Sequence, residues 1–120
     1  MKTFLIVALV VLVAAVFIND VGHYARARYN LSEATTQVTD QLAEYALGKT
    51  RDAAAVKAVE LAALQKIEVW QYDQNGQGIQ VWTRVSVPGT WVMGPFQAWR
   101  AGKPLETPLV LTDYGASVYR

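Results

Sequence analysis

The sequence predicts an α+β chain: one long N-terminal helix, a second Ala-rich helix, then a small antiparallel β-sheet. Three observations predict it. Phe4–Ile18 (FLIVALVVLVAAVFI) is an unbroken apolar run of 15 residues. No Pro interrupts residues 1–87, and Gly22 is the only Gly before position 48. All four Trp and all four Pro lie beyond Lys66, where β-branched and aromatic residues alternate with polar ones. The resulting division is residues 1–18 as an anchor segment, 19–47 as the continuation of the long helix, and 48–120 as a small α+β body.

The first segment has three competing identities. A buried core helix has one apolar stripe, whereas Leu5, Ile6, Val7, Leu9, Val10, Val11 and Leu12 cover every side. That pattern suits lipid or a translocon. A bilayer core takes about 20 residues and a signal h-region about 7–15, so length falls between the two remaining readings. Lys2 and the small residues Val13-Ala14-Ala15 fit a signal peptide cleaved after Ala15. Continuation of the run through Val16, Phe17 and Ile18, with no Pro, Gly or Ser, fits a retained anchor. Retention is the expectation, and cleavage stays open beside it. Charges flank the run on both sides, Lys2 before it and Arg26 and Arg28 after it. Its place at the start of the chain predicts a short inside end and an exported body.

From Thr3 to Leu47 nothing strongly breaks a helix. Phe17, Val21, Tyr24, Leu31, Val38, Leu42 and Tyr45 follow an alternating four-three spacing, with Arg28 and Thr35 as the polar members of the row. That spacing draws one row along a helix, the geometry of lengthwise packing on helices or on a sheet. At ~1.5 Å per residue such a helix exceeds the ~13 Å radius of gyration of a small domain several-fold, so part of it is expected to leave the body. Gly48 is a suitable stop, and Thr50 with Asp52 can open a second helix, Arg51 to about Leu64. Six alanines there raise helix propensity and permit close packing.

Residues 66–120 are expected to be β-rich. Ile67–Tyr72 and Ile79–Val87 read as strands, and Asn75-Gly76 between them is a hairpin signal. Ile79, Val81, Val85 and Val87 share the face that meets a core. Trp91–Pro108 reads as irregular, and Leu109–Tyr119 as one or two short strands. A lone hairpin is marginal in water, so the sheet is expected to pack on the helical stripe.

Composition narrows function. The chain is 52% hydrophobic, with 11 Lys+Arg, 10 Asp+Glu, one His and no Cys. Beyond residue 18 the basic and acidic residues number 10 each, leaving no Lys/Arg excess for phosphates, so nucleic acid is not an expected partner. The absence of Cys excludes disulfides and thiolate chemistry. His23 and Asp20 are spaced i, i+3, but two ligands do not complete a metal site. No nucleophile elbow accompanies Ser32, Ser86 or Ser117. Asp73-x-Asn75-x-Gln77-Gly78 imitates the start of an EF-hand loop, but Arg84 stands where the bidentate Glu belongs, and a hairpin turn explains the stretch better. No enzyme activity, cofactor or metal is therefore expected. The Trp residues are expected chiefly in the core, with Trp82, on the Gln80/Arg84 face, as the best candidate for stacking on a ligand. Asp20, directly after a lipid-length run, either marks the helix reaching water or forms a polar pairing point for a neighbouring subunit.

Phe17–Ala34 (FINDVGHYARARYNLSEA) resembles the N-terminal region of TadE/TadG-like proteins of the Flp (tight-adherence) pilus system. In that family an apolar helix leads into Asp-Val/Leu-Gly, then an aromatic and Arg residues, then Leu-x-x-Ala. The matching positions here are Asp20, Val21, Gly22, Tyr24, Arg28, Leu31 and Ala34. The sequence departs from the family where Thr36-Gln37-Val38 replaces Asp-Ala-Ala, and where Met1-Lys2-Thr3 replaces a leader ending in Gly. The resemblance covers about a quarter of the chain. It implies a pilin-like, non-enzymatic minor pseudopilin or pilus-assembly component in the cytoplasmic membrane. Such a protein crosses the membrane once, keeps its body outside the cytoplasm, and meets other pilins or pseudopilins through the long helix. The alternative is a secreted soluble binding module, for carbohydrate or adhesion, freed by cleavage after Ala15.

Overall fold

The computed structural model describes residues 1–119, and its elements are α1 (Lys2–Ala46), α2 (Arg51–Leu64), β1 (Glu68–Gln74), β2 (Gly78–Val87), α3 (Met93–Arg100) and β3 (Leu109–Val118). The strands form one antiparallel sheet in the order β1-β2-β3. Two compact units result: Met1–Ala27 with Ser86–Val110, and Arg28–Val85 with the chain from Leu111 onward.

The second unit holds the hydrophobic core. Val38, Leu42, Ala43 and Ala46 of α1 meet Ala54, Ala58 and Leu61 of α2 and Tyr72, Ile79 and Val81 of the sheet. Gly48 ends the first helix by adopting φ +76°, a conformation that costs a residue with Cβ. Thr50 then caps α2, its Oγ1 accepting from the Ala53 N–H at 3.2 Å. The β1–β2 hairpin closes through Asn75, whose Oδ1 accepts from the N–H of Gln77 at 2.8 Å and of Gly78 at 3.0 Å. The calcium-loop imitation is thus a turn stabilised by its own Asn. An irregularity at Trp70 shifts the register between Val69 and Gln71.

The helix meets the sheet across threonines. Thr35, Thr39 and Thr83 are buried, and Thr35 and Thr83 share a 2.7 Å hydroxyl hydrogen bond. Thr35 also donates to the Leu31 carbonyl and Thr39 to the Thr35 carbonyl, each at 2.7 Å, so these hydroxyls are satisfied. A Cβ on Gly115 of β3 would collide with Thr39 Oγ1, so glycine there permits the close approach.

The first unit corrects one expectation: the stretch read as irregular contains α3. Pro95 is its third residue, where a missing N–H is tolerated. Leu109–Tyr119, read as one or two strands, forms one, β3. Gln97 ties α3 to its start, Nε2 donating to the Val110 carbonyl at 3.0 Å and Oε1 accepting from the Val110 N–H at 2.8 Å.

Candidate functional site

The most organised polar cluster lies two residues beyond the apolar run. Asp20 is 3% exposed. Its Oδ1 accepts from the Trp91 N–H at 2.7 Å, and its Oδ2 from the N–H groups of Val92 and Met93, each at 2.8 Å. Asn19 Nδ2 donates to Asp20 Oδ1 at 3.0 Å and to the Gly89 carbonyl at 2.9 Å. Gly89 has φ +90°, and a Cβ on it would sit 3.2 Å from His23 Nε2. One turn of α1 therefore holds the Pro88–Met93 loop with Asn19, Asp20 and His23.

This arrangement caps a helix from far away in sequence. The residue before α3, Val92, has no side chain able to cap it. Asp20 takes three N–H groups at the helix start, and Thr90 Oγ1 takes the fourth, from Gly94, at 3.0 Å. A carboxylate here also complements the positive end of the helix dipole. Burial acts to raise the Asp20 pKa, but the hydrogen bonds from Trp91, Met93, Val92 and Asn19 outweigh it and push the pKa down to about 2. The carboxylate is thus occupied within its own chain.

The other residues singled out in the sequence fall into two groups. Leu31 and Ala34 are buried, and Arg28 donates to the Thr112 carbonyl and lies 3.6 Å from Asp113. Gly22 and Tyr24 are exposed. Along the packing stripe, Val38 and Leu42 are buried, whereas Phe17, Val21, Tyr24 and Tyr45 lie on the surface of the chain. At its first end the inward row runs instead through Val16, Asp20, His23 and Ala27. A 3.5-residue row drifts around a 3.6-residue helix, so a stripe traced from Leu31 backward loses the buried face.

None of the four Trp is in the core: Trp82 is half-buried against Tyr114, with ring centroids 5.1 Å apart, and the other three are exposed. Sequence reasoning missed Asn19, Gly89 and Thr90. Pro88-Gly89 is a turn-forming pair, but nothing in its own neighbourhood indicates that it docks on Asp20. Among the described residues no group of three or more His, Cys, Asp or Glu is arranged to hold a metal.

Among the described residues one helix, α1, is long and apolar enough to cross a membrane, a property that membrane spans share with signal sequences. No protein-family model, characterised protein or solved structure matches the chain.

Proposed function

We propose that this protein is a single-pass, membrane-anchored, non-enzymatic component of a TadE/TadG-like pilus system, with its body outside the cytoplasm. The observation that carries the anchor is the state of Phe4–Ile18. Every residue of that run except the half-buried Val16 is exposed, although the same helix is well packed from Leu31 onward. Apolar side chains on all faces of a helix require an apolar surround, and lipid supplies one.

The family resemblance adds the pilus assignment. Of its motif positions, Asp20 and Arg28 hydrogen-bond to chain outside the long helix, and Leu31 and Ala34 are buried. In this reading the motif builds a body on a membrane helix, and the exposed Phe17, Val21 and Tyr24 are left for neighbouring pilin helices.

The test is intact-mass analysis of the mature protein from fractionated cells. A membrane-fraction chain that retains Phe4–Ile18 supports the anchor. A soluble chain beginning at Val16 overturns it in favour of a secreted module.

A further inference from the structure

Helix α3 is built inside out. Its small residues Gly94 and Ala98 are buried, while Phe96 and Trp99, one turn apart, are 55% and 69% exposed. Their rings stand 6.2 Å apart, and the Arg100 guanidinium lies 6.0 Å from the Phe96 ring. In the loop before them Trp91 is 56% exposed and Val92 53%, although their backbone N–H groups are fixed by Asp20. A helix in a water-soluble body turns its large apolar side chains inward. Here they face outward with the Arg100 guanidinium beside Phe96, and residues 86–110 carry two cations, Arg100 and Lys103, against the single acidic Glu106.

We propose that this patch lies in the headgroup region of the same bilayer that α1 enters, as an aromatic anchor second to the transmembrane segment. The inference rests on the membrane-anchor reading above and deepens it. Asp20 stands two residues past the apolar run, and it grips the backbone of Trp91, Val92 and Met93 directly. Those residues are therefore held at the level where α1 leaves the hydrocarbon. Trp, with an apolar ring system and a polar N–H, is the side chain that favours this boundary, and adjacent Arg and Lys suit anionic headgroups. The Asp20 carboxylate, costly in hydrocarbon, keeps its charge and is solvated by backbone donors.

The experiment uses the full chain reconstituted in phosphatidylcholine–phosphatidylglycerol vesicles. Two single-Trp forms are compared, one keeping Trp99 and one keeping Trp70, the other Trp residues being replaced by Phe. Emission is read against lipid brominated near the headgroup end of its acyl chains and against aqueous iodide. The expected result is a blue-shifted Trp99 emission, quenched by the brominated lipid and shielded from iodide, with Trp70 showing the reverse. Trp99 quenched by iodide alone, in a chain that still floats with vesicles after alkaline washing, overturns the patch and leaves the anchor standing. Trp99 shielded from both quenchers means that protein covers it, a second copy for example, and also overturns the proposal. A chain that fails to float removes the anchor reading and this inference together.

Discussion

Within each of the two units of this chain, different chemistry holds the elements together. In the unit built on Arg28–Val85, large apolar side chains point inward: Leu31, Val38, Leu42, Ile79 and Val81 are almost wholly buried. In the unit built on Met1–Ala27 and Ser86–Val110, the fastenings are polar, namely Asp20 to three backbone N–H groups and Gln97 to Val110. Most of its large apolar residues, Phe4 to Ile18 apart from the half-buried Val16 and again Trp91, Phe96 and Trp99, are exposed, while Val87 and Leu109 are buried. One unit buries large apolar side chains as water requires, and the other exposes them, as the proposed membrane anchor would. Hydrophobic content alone does not separate them; the direction of the side chains does.

The sharpest way to break the contrast is a matched pair of truncations. Leu42→Ala, in the core, is expected to cost about 2–5 kcal/mol in urea unfolding followed in detergent micelles. Leu9→Ala, in the exposed run, is expected to leave that transition where it was. Equal losses would mean that the run packs against protein.

Gly115→Ala should come next, at about 1–3 kcal/mol, because its Cβ would meet Thr39 Oγ1. Thr39→Ala in the same chain should recover part of the loss. Without recovery, the close approach of helix and strand is not the cause.

Asp20→Ala should cost about 1–3 kcal/mol, confined to the loop before α3, since it strips the acceptor from three N–H groups. Amide exchange at Trp91, Val92 and Met93 should accelerate while exchange at Leu42 and Val81 stays slow. The carboxylate also sets a pH window. Its folded pKa of about 2 lies below the ordinary 3.8, so its contribution is complete above about pH 4 and is lost as pH falls toward 2. Loop exchange should rise over that interval in the parent chain and stay flat in Asp20→Ala.

Tyr72 gives a weaker signal at the other end of the scale. Burial foremost, with Tyr119 and Asp73 adding and Arg51 opposing, raises its pKa to about 12. Stability should therefore be retained below pH 10 and decline as pH rises toward 12, an effect that Tyr72→Phe should abolish. The smallest effect is expected at the exposed Arg84–Glu68 pair, joined at 2.7 and 3.0 Å across the hairpin. Arg84→Ala should leave the unfolding transition nearly unmoved.

Much of this fold was legible because the decisive signals are local. Gly48, Thr50 and the Asn75-Gly76 pair each mark a boundary through the residue's own conformational preference, and the helices and hairpin follow within a residue or two. What was not legible depends on long-range partners. The eight-residue α3 contains Gly94 and Pro95 and lacks a capping side chain at Val92; its cap arrives from Asp20, about 70 positions earlier. Asp20 itself stood out because a carboxylate beside a lipid-length run is costly. Which donors would meet that cost could not be read from neighbours in sequence. The Trp residues misled for a related reason. Trp70, Trp91 and Trp99 are exposed and Trp82 is half-buried, because the inward positions near them are filled by smaller residues such as Val81, Gly94 and Ala98.

Lipid labelling of the full chain in its membrane is the most direct test of the proposed division between lipid-facing and protein-packed surfaces. A photoactivatable carbene carried on lipid acyl chains, followed by mapping of the labelled residues, is expected to mark Phe4–Ile18 and to leave Leu31–Ala46 unmarked. An unmarked Phe4–Ile18 segment, or equal marking of both stretches, would contradict it.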